Sequence, residues 1–190
     1  IIKAAAGGGG IGMQIVEKAD EFEGALKLCQ SRAKSAFGDE RVFVEKYIQG
    51  AQHVEFQVLA DGKKAIHFGE RFCSIQRRHQ KLVEEGPWLS DEKRAEIGAL
   101  VCKGAEAVGY KGLATFEFLR DANGDFYFLE VNPRVQVEHT VTELITGYNL
   151  VELGIRVAQG EALPLAQEDI TWRGHACLLY TSTLPTMELV

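Results

Sequence analysis

Acids and amides recur two residues apart in residues 116–139, FEFLRDANGDFYFLEVNPRVQVEH. Asn123-Gly124 is a strong hairpin signal, flanked by runs of Phe, Tyr, Leu and Val. With these two residues as the loop, Glu117 falls opposite Glu130, Phe118 opposite Leu129 and Phe116 opposite Val131. Period 2 then carries the Glu130 face to Asn132 and, if the chain stays extended, to Arg134, Gln136 and Glu138. Facing carboxylates destabilise a sheet by up to about 1 kcal/mol, so a positive charge belongs between them. Glu117, Glu130 and Asn132 offer hard oxygen ligands of the kind that Mg²⁺ or Mn²⁺ takes alongside waters and substrate phosphates. A solvated acidic hairpin is the competing reading, and a loop of odd length would break the opposition.

Glu138 follows Arg134 by four residues, and beside a bound oxyanion it could act as a general base. Its rival role is to cap the helix that begins near Val141. The run Arg77-Arg78-His79-Gln80-Lys81 reads as an anion site, a charged turn or a salt-bridge cluster with Glu84 and Glu85. Gly7, Gly9 and Gly12 match G-x-G-x-x-G, but a dinucleotide fold needs a helix straight after them, and Met13 to Val16 read as strand. A phosphate loop of the Walker type would need Gly-Lys-Ser/Thr, whereas Lys3 precedes the glycines. What remains is a glycine hairpin whose backbone N–H groups could close over phosphates. Four consecutive glycines cost chain entropy that close approach to a ligand would justify. Glu45-Lys46-Tyr47-Ile48 ends a strand, where plain strand-end polarity is the simpler reading. His53 and Glu55 share one strand face.

These residues need elements to hold them. Asp20 is placed to cap a helix over residues 21–37, stopped by Gly38, with Phe22, Leu26, Leu28, Cys29 and Ala33 as its apolar stripe. Residues 41–47 and 53–59 alternate as strands, Asp61-Gly62 turns the second back into residues 65–70, and residues 72–76 form another. Ser90 caps a helix over residues 91–108, and two short helices follow at 141–146 and 150–158. Strands and helices in mixed order point to an α+β fold with antiparallel sheets.

Composition narrows the function classes. The 190 residues are 46% hydrophobic and carry a net charge of -6, which leaves no basic excess for nucleic acid. No apolar run approaches the roughly 20 residues of a membrane span. Cys29, Cys73, Cys102 and Cys177 lack metal or redox spacing and read as buried, reduced thiols of a cytoplasmic protein. The start at Ile1, with no signal pattern, reads as a piece of a longer chain.

Taken together, IIKAAAGGGGIGM, VEKYI, HVEFQVLADG, ERFCSIQRRHQKLVEE, GLATFEFL and FLEVNPRVQVEH resemble the ATP-grasp core of a biotin carboxylase. The resemblance spans residues 1–176 and rests most on QRRHQK and NPRVQVEH. It implies a lid subdomain over about residues 1–50 and part of the catalytic antiparallel-sheet subdomain over about 51–176, truncated at both ends. It also implies MgATP-dependent conversion of bicarbonate to carboxyphosphate and transfer of CO₂ to biotin. Biotin would ride on a carboxyl carrier protein or domain, with a carboxyltransferase as further partner and a homodimer as the assembly. Carried over by position, ATP would meet Lys3, Gly9, Gly10, Met13, Glu45, Lys46, Ile48, His53, Gln76, His79 and Leu119. The metal ion would meet Glu117, Glu130 and Asn132. Bicarbonate would meet Lys81, Arg134, Gln136 and the backbone of Val137, with Glu138 taking its proton and Arg134 and Lys81 completing the catalytic set. Ile11 stands where many members carry a basic residue, and Pro87-Trp88 also departs from the usual segment. A carbamoyl-phosphate synthase large chain would keep the metal triad but gives no reason for QRRHQK. A dinucleotide-binding module and a non-catalytic nucleotide-binding or interaction domain also compete with the carboxylase reading. The family's amino-terminal domain and its biotin-contacting arginine are expected to lie outside this chain. Residues 177–190, CLLYTSTLPTMELV, break the family pattern and match translated transposon-adapter sequence, so they are expected to be foreign and to pack poorly.

Overall fold

Lys3 lies on a short strand, β1 (Ile2–Ala4), which pairs antiparallel with β2 (Val42–Val44) and faces Phe43. The computed structural model describes residues 1–6, 12–77 and 80–179, in two units, Ile1–Gln49 and Gly50–Val190. In the first unit, helix α1 (Phe22–Phe37) buries Cys29 and Ala33 and ends at Gly38 in the left-handed region. Asp20 does not cap it. A 3₁₀ turn (Ala19–Glu21) leads into the helix, and no side chain caps its first turn. Leu28 is exposed, because only positions 22, 26, 29 and 33 keep the helical spacing of one face. After Gly12 the chain makes one bridge, Gln14 to Ile2, and no helix starts before Ala19, which removes the dinucleotide reading.

Among the described residues of the second unit, six strands lie in the order β7-β6-β3-β4-β5-β8. They are β3 (Gln52–Asp61), β4 (Ala65–Arg77), β5 (Gln80–Gly86), β6 (Lys111–Arg120), β7 (Phe126–Asn132) and β8 (Ala176–Leu179), and every pairing is antiparallel. Residues 65–70 and 72–76 are therefore one long strand, and β5 is a strand that the charged run concealed. Period 2 along β3 decides what goes where. Val54, Phe56, Val58 and Ala60 join Ile97, Val101 and Ala105 of α2 (Asp91–Ala107) in one core. Leu59 points to the other face and packs with Leu150, Leu153 and Val157 of α4 (Leu150–Ala158). Val141 and Ile145 of α3 (His139–Thr146) close a third cluster with Ala176. The polar residues of β3, His53, Glu55 and Gln57, occupy the face of Leu59. Ser90 caps α2 as expected, its side chain accepting from Lys93 N at 3.3 Å.

Two local outcomes depart from expectation. The 121–125 loop is odd: Arg120 pairs with Phe126, and Phe118 meets Phe128 rather than Leu129. A bulge at Leu129 takes up the extra residue, so Glu117 still faces Glu130 and Phe116 still faces Val131. At the other end of the sheet, Cys177 to Leu179 pair with β5 through backbone groups that every residue carries, with the side chains of Cys177 and Leu179 exposed, and residues 180–190 lie outside the described residues. Cys177 is exposed and Cys102 only half-buried, so only Cys29 and Cys73 are buried thiols.

Candidate active site

A row of charge crosses the second unit's sheet at right angles to its strands. Arg71 of β4 pairs with Glu55 of β3, Glu55 with Glu117 of β6, and Glu117 with Glu130 of β7. Beside it runs a neutral row, Gln57, Thr115 and Asn132. Three consecutive carboxylates repel, and the two junctions between them are handled differently. Lys81 reaches the first: its Nζ contacts Glu55 Oε2 and lies 3.6 Å from Glu117. At the second junction, no cationic side chain among the described residues pairs with Glu130, which is exposed. Asn132 Nδ2 donates to Glu117 Oε1 at 2.8 Å, so its own Oδ1 is turned outward, where Arg134 Nη2 donates to it at 3.4 Å.

Lys81 also donates to Glu138 Oε1 at 2.8 Å. Glu138 stands at the N-cap position of α3, yet its side chain makes no cap bond, so the capping role fails in favour of the ion pair. Burial opposes ionisation of Glu138, but the charge and hydrogen bond of Lys81 prevail and hold it below the ordinary carboxylate range. Burial likewise opposes an ionised Glu117. The hydrogen bond from His53 and the Lys81 charge outweigh it and bring that carboxyl to about 2. His53 Nε2 lies 2.7 Å from Glu117 Oε2, while Gln76 Nε2 donates to His53 Nδ1 at 2.8 Å. The two contacts fit one tautomer, with the proton on Nε2. Leu119 is the cross-strand partner of His53, so His53, Gln76 and Leu119 meet at one place.

The chain of positions from Asn132 onward does not stay extended. Strand β7 ends there, Arg134 N donates to Asn132 O, and Arg134 is exposed while Gln136 and Glu138 are buried. Gln136 Nε2 donates to Glu117 Oε1 at 3.4 Å. Thus Lys81, Glu117, Gln136 and Glu138 form one cluster, with Asn132 and Arg134 at its exposed side.

Four further residues belong to it that the motifs left unassigned. Arg71 and Glu55 are fully buried and paired, Arg71 Nε donating to Glu55 Oε1 at 2.7 Å. Thr142 accepts from Arg71, and Glu84 is buried with both oxygens lacking a hydrogen-bond partner among the described residues. Burial, then the Glu55 charge, push the Glu84 carboxyl up to about 9. Glu55, Cys73 and Glu84 bring ligand atoms within 4.8 Å of one another. Glu55 is already committed to Arg71 and Lys81, however, and burial raises the Cys73 thiol well above its usual range. For Glu55, Arg71 and Glu84 a signal was present: charged side chains at interior positions of strands rich in apolar residues.

The model of the family described as "Carbamoyl-phosphate synthase L chain, ATP binding domain" matches residues 1–166. The chain belongs to that family. Within the family its relatives are biotin carboxylases, as the resemblance implied. A pyruvate carboxylase subunit of Methanothermobacter thermautotrophicus is 55% identical over 93% of this chain. The biotin carboxylase–βγ-ATP complex of Campylobacter jejuni superposes with a TM-score of 0.88 at 50% identity. The biotin carboxylase domain dimer of Hydrogenobacter thermophilus 2-oxoglutarate carboxylase, in complex with MgADP, ADP and bicarbonate, gives 0.88 at 47% identity. Each structure is matched over 93% of this chain. The chain spans 36% of the Methanothermobacter relative and 40% of either structural one. The α+β fold is accordingly ATP-grasp.

Residues that the biotin carboxylase resemblance assigns to ATP divide between the units. In the first, Lys3 Nζ donates to Glu45 Oε2 at 2.9 Å, Met13 and Ile48 are half-buried, and Lys46 is exposed. Glu45 is thus engaged by a lysine of the neighbouring strand. The second unit holds the His53, Gln76 and Leu119 group. Gly9, Gly10 and His79 lie outside the described residues, and Val137 is exposed.

Proposed function

We propose that this segment supplies nucleotide, metal and bicarbonate contacts to a biotin carboxylase, which uses ATP to carboxylate carrier-bound biotin. The observation that carries the reading is the convergence of Lys81, Glu117, Gln136 and Glu138 beside a carboxylate junction that no cationic side chain among the described residues fills. That junction offers a divalent ion the hard carboxylate oxygens of Glu117 and Glu130, and Asn132, whose Nδ2 faces Glu117 in this structure, would add its oxygen by turning its amide over. When bound there, Mg²⁺ or Mn²⁺ would neutralise phosphate charge during transfer.

Bicarbonate is assigned to Lys81, Arg134, Gln136 and the Val137 backbone, which offer N–H donors to its oxygens. Glu138, held ionised by Lys81, accepts the bicarbonate proton as a bicarbonate oxygen attacks the γ-phosphorus. The new O–P bond gives carboxyphosphate, and the bond to the β-phosphate oxygen breaks to release ADP. Carboxyphosphate then yields CO₂ and phosphate, the released phosphate takes the proton of the biotin nitrogen, and that nitrogen takes the CO₂. Lys3, Met13, Glu45, Lys46, Ile48, His53, Gln76 and Leu119 are assigned to ATP. A biotin carboxyl carrier, a carboxyltransferase and a second copy are the proposed partners. Four unpaired thiols fit a cytoplasmic setting, and no helix of the described residues is long and apolar enough to cross a membrane.

Calorimetric titration of the chain with ATP, with and without Mg²⁺, tests the reading. Binding that strengthens with Mg²⁺ is expected, and binding indifferent to Mg²⁺ would sink the assignment of the Glu117–Glu130 junction.

A further inference from the structure

Arg71 is the largest fully buried side chain among the described residues, and nothing in the proposed chemistry uses it. A buried guanidinium is retained at a high desolvation cost unless its donors are met, and here they are met five times. Nε donates to Glu55 Oε1 at 2.7 Å, and Nη1 to Gln57 Oε1 at 2.9 Å and to Thr142 Oγ1 at 2.8 Å. Nη2 reaches Thr115 Oγ1 at 3.4 Å and Gln136 Oε1 at 3.5 Å. These partners come from β3, β6, α3 and the segment after β7, so one planar group ties β4 to four stretches of chain that border the cluster.

Two branches leave Arg71. One runs through Glu55 to Lys81 and on to Glu138. The other runs through Gln136 to Glu117. The second branch has a chemical consequence. A glutamine amide has a donor end and an acceptor end, and only the donor end can hold an anion. The guanidinium has donors alone, so it accepts only the oxygen end of Gln136, which turns the Nε2 hydrogens toward Glu117 and the cluster. Without Arg71 that amide could rotate and present oxygen to an anion, replacing attraction with repulsion.

We infer that Arg71 is a positioning residue for the anionic substrate: it fixes the amide of Gln136 so that its N–H groups face the bicarbonate position. The inference rests on the biotin carboxylase reading. Thr142 and Gln57 hold the guanidinium by Nη1, the nitrogen that does not meet Gln136, and share the task at one remove.

The test uses the full-length enzyme that carries this segment, and measures bicarbonate-dependent ATP cleavage. Arg71→Lys keeps the charge but loses the fork that grips both Glu55 and Gln136. Loss of one donor to an anion is worth about 1.5 kcal/mol, which is roughly tenfold. The expected result is a rise of about tenfold in KM for bicarbonate with KM for ATP within about twofold. Should Arg71→Lys not fold, Thr142→Val removes one clamp at constant volume and is expected to raise the bicarbonate KM by about threefold, roughly 0.65 kcal/mol. Gln136→Ala closes a double-mutant cycle, in which its effect should shrink once Arg71 has been changed. A merely structural Arg71 would lower thermal stability and kcat and move both KM values together, and that result, or an additive cycle, overturns the inference. If the unaltered enzyme cleaves ATP without regard to bicarbonate, the functional reading itself falls, and the inference with it.

Discussion

Glu138 and Glu130 carry the same group but sit in opposite surroundings, and that difference predicts how each should fail. Glu138 is buried against Lys81, whereas Glu130 is exposed on the outer strand. In the full-length enzyme, Glu138→Gln should leave MgATP binding nearly intact and cut bicarbonate-dependent ATP cleavage by about 10²–10⁴, the range for losing a general base. Glu130→Gln should instead weaken Mg²⁺-dependent nucleotide binding, read by calorimetry. Equal, small effects of both would contradict these roles. Glu84 makes a third residue-scale prediction, about stability. Its carboxyl titrates near 9 when folded, against about 4.3 in an unfolded chain. Between those values the unfolded state has released a proton that the folded state keeps, so stability falls as pH rises from about 4 to about 9. Glu84→Gln removes that slope. Thermal melts should show the variant more stable than the parent at pH 8 and little different at pH 4.

At the scale of elements, α2 crosses β4 at close range. A Cβ added at Gly98 would lie 2.2 Å from His67 Nε2, and His67 is buried and stacked on Trp172 with ring centroids 5.9 Å apart. Gly98→Ala should therefore destabilise the second unit by about 1–3 kcal/mol, the usual cost of overpacking. A fall in melting temperature of about 2–4 °C per kcal/mol would register it. Elements with a clean period were legible from sequence: α2 with its Ser90 cap, α4, and β3 with its two faces. Strand β5 was not, because Glu84 and Glu85 read as counter-charges to the basic run rather than as strand positions, while the fold buries Glu84 completely, 3.7 Å from Lys81. The facing of Glu117 and Glu130 was legible for a reason only half right. The loop is longer than Asn123-Gly124 alone suggested, and the bulge at Leu129 cancels the error before the carboxylates are reached. The partners of Arg71 were not legible because they lie up to 71 residues away, a distance no local pattern spans.

At the scale of the whole molecule, the 190 residues should not carboxylate biotin by themselves. They span 36% of the Methanothermobacter relative, and a transition state held by part of its contacts is poorly positioned. Incubation of the chain with MgATP, bicarbonate and biotin should release no more phosphate than without biotin, and biotin-dependent release would refute this.

The outer strand β7 has a consequence for how the protein behaves in bulk. It is the last strand of its sheet among the described residues, and its own Phe128 is 59% exposed. Such an edge is a template for pairing with a second chain unless charge keeps strands apart. Glu130, with Asp121 and Asp125 near the turn, supplies that charge. The carboxylate assigned to the metal thus also guards colloidal solubility, and neutralising it, by substitution or by saturating divalent cation, would leave an aromatic edge freer to polymerise.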